Sequence, residues 1–177
     1  VINPSTYNQA LVILKNLISK KRNHPFYLRL GRQPVNEYYS EEEIEFEKGF
    51  NIIGDGGDIA ICSTGCVLDE AIKAKAILEE KNINVQIIDI FRIEKNANDS
   101  LIRNLSKHKK LICLEDHMSI GGLGTFISEV ILEKNIDAKI RKIGLENIFP
   151  QSGEPQSLYK KYGINCDKIV STALDLI

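Results

Sequence analysis

A three-layer α/β domain, with a mostly parallel sheet, helices on both faces and one antiparallel edge strand, is the fold class that this sequence predicts. Three features carry that expectation. Short apolar runs at residues 59–63, 85–91 and 111–114 alternate with segments whose apolar residues recur every three or four positions. The runs are continuous rather than alternating, as strands covered on both faces are, and the strand-helix order implies right-handed crossovers between parallel strands. The antiparallel edge is expected from Gly54-Asp55-Gly56-Gly57-Asp58, whose Asp-Gly and Gly-Gly steps favour a tight hairpin between residues 49–53 and 59–63.

In chain order, residues 1–4 read as the end of a strand. Ser5 or Thr6 caps a helix patterned by Leu11, Ile13, Leu14, Leu17 and Ile18. Lys20, Lys21 and Arg22 complement the negative end of that helix, and His24 with Pro25 turns the chain. Residues 26–30 form a second strand that delivers Arg29 and Arg32 around Gly31. A helix between two strands is a crossover with too little apolar material for a core of its own, so residues 1–32 read as the trailing edge of a domain. Residues 33–48 are polar, carry Glu41, Glu42 and Glu43, and read as a linker between domains. Such a charge run is ordinarily a solvated face.

The second domain is expected over residues 49–177. After the hairpin, a helix over 67–80 turns Leu68, Ile72 and Leu78 inward, a strand covers 85–91, and Asn98 or Asp99 caps a helix through Leu101, Ile102 and Leu105. A strand at 138–143 and two short helices close the sequence, the first opened by Pro155 and ended by Gly163, the second carrying Ile169, Val170, Ala173 and Leu174. No internal repeat or low-complexity stretch interrupts the pattern.

The organising stretch is residues 111–130. Four apolar residues are followed by Glu115, Asp116 and His117, where the strand is expected to end, and Gly121, Gly122 and Gly124 make a close approach before helical spacing resumes at Phe126, Ile127, Val130 and Ile131. A functional turn at the carboxyl end of a strand is one reading; close helix-sheet packing is the other.

The composition narrows the function. Of 177 residues, 43% are apolar and 27% charged, the balance of a globular protein, and 23 Lys plus Arg nearly cancel 24 Asp plus Glu. No field of one sign argues for nucleic acid or an anionic membrane, so neither is expected as a partner. The apolar runs are far shorter than the roughly 20 residues that span a bilayer. No signal-peptide pattern opens the sequence, so a cytoplasmic location is expected. Cys62 and Cys113 lie in apolar runs, and Cys62 and Cys66 have neither zinc nor thioredoxin spacing, so reduced, structural cysteines are expected of these and of Cys166. The first residue is Val1 rather than methionine, which suggests a piece of a longer protein.

Several candidate chemistries fail on detail. Gly54, Gly56 and Gly57 precede a strand, and Gly121, Gly122 and Gly124 have the wrong spacing for a dinucleotide fingerprint; no Walker lysine is present. Ser63-Thr64-Gly65 at a strand-to-helix turn offers hydroxyls to an anion, although small residues are common there. His117 beside Glu115 and Asp116 has the makings of a carboxylate-tuned base, but no nucleophile is near it in sequence and the metal geometry is poor, so a turn or interface role for Glu115 and His117 is preferred and no metal site is expected. His24 and His108 sit among lysines and are expected to be exposed. Arg29 and Arg32 form a stronger signal, because two guanidinium forks at a strand tip suit a phosphate or carboxylate. The alternative for them is a salt bridge to the acidic linker.

YLRLGR at 27–32, GDIAICSTG at 57–65, VQIIDIFRI at 85–93, LICLEDHMSIGGLG at 111–124, IGLENIFPQSG at 143–153 and KKYG at 160–163 occur in the order and spacing of the transketolase family, and the chain resembles that family over essentially its whole length. The resemblance implies a Rossmann-like, transketolase C-terminal domain over 49–177, preceded by the end of a pyrimidine-binding domain. It also implies a parent enzyme that uses thiamine diphosphate and magnesium to move a two-carbon ketol unit between sugar phosphates, most similar to short or split transketolases. Deoxyxylulose-phosphate synthases, 2-oxo acid dehydrogenase beta subunits and a non-catalytic scaffold remain alternatives. Arg32 falls on the family's substrate-phosphate arginine, and Arg29 on a basic position of some relatives. The activating glutamate, the aromatic pyrimidine pocket and the magnesium site match no position in this sequence. The resemblance therefore implies no catalytic residue and no bound cofactor in this chain alone, a homodimer, and an upstream diphosphate-binding domain or subunit.

Overall fold

A computed structural model describes residues 1–21, 23, 25–94 and 97–177. The expectations for Arg22 and His24 lie outside the described residues. Aliphatic and β-branched runs become five strands, β1 (Phe50–Ile53), β2 (Ile59–Thr64), β3 (Val85–Ile90), β4 (Lys110–Met118) and β5 (Lys139–Leu145), in the sheet order β1-β3-β2-β4-β5. The last four in that order are mutually parallel, and β1 runs antiparallel on the edge. Every residue of β2 and β3 is buried, including the polar Ser63, Thr64, Gln86 and Asp89 among their aliphatic side chains.

Alternation along the strands sorts the core into two halves. One face carries Ile59, Ile61, Ile87 and Ile112, and packs against α1 (Tyr7–Ser19), α2 (Leu68–Glu80), α5 (Pro155–Tyr162) and α6 (Cys166–Leu176). The other carries Ala60, Cys62, Ile88, Leu111 and Cys113, and packs against α3 (Asp99–Leu105) and α4 (Leu123–Glu133). The helices begin where capping chemistry permits. Thr6, Asn98 and Asn165 accept from the backbone N–H of Gln9, Leu101 and Lys168, and Pro155 opens α5 while Gly163, at φ +67°, ends it. All four cysteines are free thiols.

The edge differs from the expected hairpin. β1 does not pair with β2; Phe50 opposes Ile90 and Ile53 opposes Ile87, so β3 lies between them. The glycines serve a crossing over the entry to β3 instead of a two-residue turn. A Cβ on Gly57, at φ +150°, would lie 2.0 Å from Asn84 O, and one on Gly54, at φ +92°, would lie 3.2 Å from Val85 O. His108 is also misplaced by its lysine neighbours: it is buried, with Nδ1 2.7 Å from Gly57 O and Nε2 3.0 Å from Gln86 Oε1, tying that crossing to β3. Burial pushes its pKa down.

The segments before β1 are held by the sheet. Residues 1–4 and 26–30, expected as strands, make only single bridges, Ile2 with Leu28 and with Arg92. Tyr39, Ile44 and Phe46 of the polar stretch are buried in the same core cluster as Ile13 and Leu17 of α1. Its acidic run forms a single 3-10 turn, Glu41–Glu43, with Glu42 and Glu43 exposed. Beneath it Asp89 of β3, fully buried, accepts from Ser5 Oγ at 2.6 Å, Gln9 Nε2 at 2.8 Å and the Tyr39 hydroxyl at 3.2 Å. Among the described residues no helix is long and apolar enough to cross a membrane.

Candidate functional site

Ligands gather at the carboxyl ends of parallel strands, and there the ends of β2 and β4 meet the arginine loop at 29–34 and the chain leading into α5. Backbone bonding fixes the first arginine, whose N–H donates to Ile2 O at 2.8 Å. Gly31 passes so near the β2-to-α2 turn that a Cβ there would lie 2.1 Å from Cys66 Sγ. Arg29, Arg32, Gln33, Cys66, Asp116 and Glu154 line a cavity of about 590 Å³ beside this loop.

The two arginines have different surroundings. Arg29 Nη1 donates to Asp116 Oδ1 at 2.5 Å and Nη2 to the Asp116 carbonyl at 3.2 Å. Burial opposes the guanidinium charge, but the Asp116 carboxylate outweighs it and holds the Arg29 pKa above its ordinary value. The Tyr159 hydroxyl donates to Asp116 Oδ2 at 3.4 Å and accepts from Gln33 Nε2 at 3.0 Å. Burial pushes up both the Tyr159 phenol and the Cys66 thiol, with Asp116 adding to each. Arg32 is exposed and has no hydrogen bond or ion pair among the described residues. Neither arginine bridges to the acidic run. Glu41 pairs with Lys15 instead, and the partner of Arg29 is on β4.

The Glu-Asp-His triplet is part of β4, which continues to Met118 instead of stopping at Leu114. Pleating therefore separates its members. Asp116 faces the arginine cavity, while Glu115 and His117 line a smaller one of about 220 Å³ with Asn3, Thr64 and Gly122. Glu115 is buried, and its two oxygens accept from the N–H of Leu123 at 2.8 Å and of Gly124 at 2.9 Å, satisfying the first turn of α4. Gly122 is required by that approach, since a Cβ would lie 1.8 Å from Glu115 Oε2. His117 is exposed, with Nδ1 3.2 Å from the Met118 carbonyl, and bonds neither carboxylate. The Thr64 hydroxyl is buried against Asn3, and Ser63 is buried, so that turn presents no hydroxyl to an anion.

Asp116, Gln33 and Tyr159 were not singled out from the sequence as members of the arginine site. The available signal was the period-two alternation through 115–117, which sets Asp116 apart from its neighbours. Among the described residues no three His, Cys, Asp or Glu converge as metal ligands. Besides paired Arg29 and Asp116 the lining carries Arg32 and Glu154, and among the described residues it holds no carboxylate cluster, so it does not fit a magnesium-diphosphate group.

Residues 49–169 match the transketolase C-terminal domain family. A Methanocaldococcus jannaschii protein named as a transketolase C-terminal section is 32% identical over 99% of this chain and 54% of its own length. One subunit of the apulose-4-phosphate transketolase of Phocaeicola vulgatus is 27% identical over 100% of this chain and 56% of its own. The 1-deoxy-D-xylulose-5-phosphate synthase of Caldanaerobacter subterraneus is 27% identical over 98% of this chain and 28% of its own. A solved structure described as a split gene transketolase, inactive beta4 tetramer, superposes with a TM-score of 0.88 at 27% identity, over 98% of this chain and 56% of that one. The chain thus spans about half the length of the first two relatives. With a mostly parallel sheet ending in one antiparallel edge, helices on both faces and that family match over most of its length, the chain belongs to the transketolase C-terminal domain family.

Proposed function

We propose that this chain is the C-terminal section of a thiamine-diphosphate-dependent, transketolase-type enzyme that transfers a two-carbon ketol unit between sugar phosphates. The cofactor and its magnesium are carried by an upstream region or a separate polypeptide, in keeping with the relatives named as a C-terminal section and as one subunit of a transketolase. This chain contributes pairing, architecture and contact with the substrate phosphate, and the assembled enzyme contains two copies of it. Arg32 is the phosphate-reading residue, with Arg29 on the wall of the same cavity. One observation carries this reading: Arg32 is exposed and without a partner among the described residues, in a cavity where the other arginine is already paired.

Charge-assisted hydrogen bonds contribute about 1.5–3 kcal/mol each. Arg32→Ala in the assembled enzyme is therefore expected to lower kcat/KM for phosphorylated acceptors by about 10- to 100-fold. Unphosphorylated acceptors should change by less than about twofold, because their transition state lacks that contact. Equal losses for both classes would make the arginine structural and overturn the assignment.

A further inference from the structure

The arginine cavity contains two guanidinium groups and offers only one. Arg29 gives both forks to Asp116, at 2.5 Å and 3.2 Å, and the second carboxylate oxygen accepts from Tyr159 at 3.4 Å. The same Tyr159 hydroxyl accepts from Gln33 at 3.0 Å, and Gln33 also reaches the Cys66 carbonyl at 3.4 Å. Arg32 thus lies between two anchored residues, Arg29 and Gln33, with Gly31 pressed against Cys66. Asp116 stands on β4 and Tyr159 on α5, so a short loop is fastened at both ends to the sheet, while the Arg32 side chain has no partner among the described residues.

We infer that Asp116, assisted by Tyr159, is the positioning residue for Arg32. By fastening Arg29 to β4 it holds the loop in its binding geometry before the ligand arrives. A loop ordered in advance avoids the ordering cost at the moment of binding. The pair is only partly exposed, 34% at Arg29 and 19% at Asp116, so it is less weakened by solvent than a surface pair. The inference deepens the proposed function and rests on its assignment of Arg32.

Arginine modification by phenylglyoxal, mapped by peptide mass spectrometry on the full chain with inorganic phosphate as the protecting anion, tests it without requiring turnover. In the unaltered chain Arg32 is expected to react readily and to be protected by phosphate, with paired Arg29 about tenfold slower. In Asp116→Asn, Arg29 should become about fivefold more reactive, and the phosphate concentration that half-protects Arg32 should rise about tenfold. Tyr159→Phe should give a smaller rise of about two- to threefold, because it removes one long hydrogen bond. Asp116→Glu, which keeps the carboxylate, should restore most of the protection, as a change in packing alone would not. If Asp116→Asn does not fold, the rise expected of Tyr159→Phe, which changes no charge, carries the test. Failure of phosphate to protect Arg32 in the unaltered chain would overturn the assignment of Arg32 as the phosphate-reading residue, and the positioning role with it. Normal protection with half-points unchanged in the variants would overturn the positioning role alone.

Discussion

Replacing Asp89 by Asn should remove a pH dependence of folding that the buried carboxyl creates. Asp89 is fully buried, and burial raises its pKa from the ordinary 3.8 to about 6, against the opposing pull of the bonds it accepts from Ser5, Gln9 and Tyr39. The folded chain therefore keeps this proton over a range in which the unfolded chain has lost it. Stability falls as pH rises from about 4 to about 6 and then levels off. The interval between 3.8 and about 6, at about 1.36 kcal/mol per pH unit, corresponds to about 3 kcal/mol. His108 works in the other direction. Burial lowers its folded pKa, so its contribution is present above the unfolded value of 6.5 and is lost as pH falls below it. The two overlap, and the raw profile of the natural chain is not diagnostic; the difference from Asp89→Asn is. Urea unfolding of both proteins between pH 4 and 7.5 should show the natural chain losing about 2.5 kcal/mol relative to the variant as pH rises, the remainder lying below pH 4. A gap that stays constant to within about 0.5 kcal/mol across that range would refute the reasoning.

Two further outcomes follow from the same chemistry. Glu115→Ala deprives two buried N–H groups of their acceptors at the start of α4, so it should cost about 2–5 kcal/mol by urea unfolding, and Glu115→Gln, which keeps one acceptor oxygen, about half as much. Unchanged stability in the alanine variant would mean that water replaces the carboxylate. Titration calorimetry of this chain alone with thiamine diphosphate and magnesium should show no micromolar complex, because neither described cavity supplies the ligands for that group; a micromolar complex would place cofactor contacts within these residues.

Local features of the fold were legible and long-range pairings were not. The caps at Thr6 and Asn98, the Pro155 opening of α5 and the Gly163 stop are each decided within a few residues, so sequence patterns reach them. The Asp-Gly and Gly-Gly steps correctly signalled a reversal before β2, but a local turn signal cannot reveal that a later strand, starting at Val85 beyond the whole of α2, inserts between the two arms. His108 illustrates the same limit. Its neighbours Lys107 and Lys109 suggested solvent, whereas its burial is set by Gly57 and Gln86, which no nearby residue announces. Nothing near Asp89 in the sequence announces its partners, which come from positions 5, 9 and 39.

The arginine site shows why distant pairings matter to function. The family match begins at residue 49, yet the arginine loop lies before it, at 29–34. Residues 1–4 and 26–30 share only the bridge between Ile2 and Leu28, which fixes the backbone at Arg29 but forms no sheet beyond it. The orientation has to come from the sheet domain, and two polar fastenings provide it: Asp89 holds Ser5, Gln9 and Tyr39 against β3, and Asp116 holds Arg29 at the end of β4. Between them Tyr39, Ile44 and Phe46 share a core with α1 and the sheet. The loop is thereby packed onto the sheet on its own account rather than hanging from a crossover helix. Mutations within residues 49–177, far from Arg32 in the sequence, are for that reason expected to reach the anion proposed to bind there through the geometry of the loop.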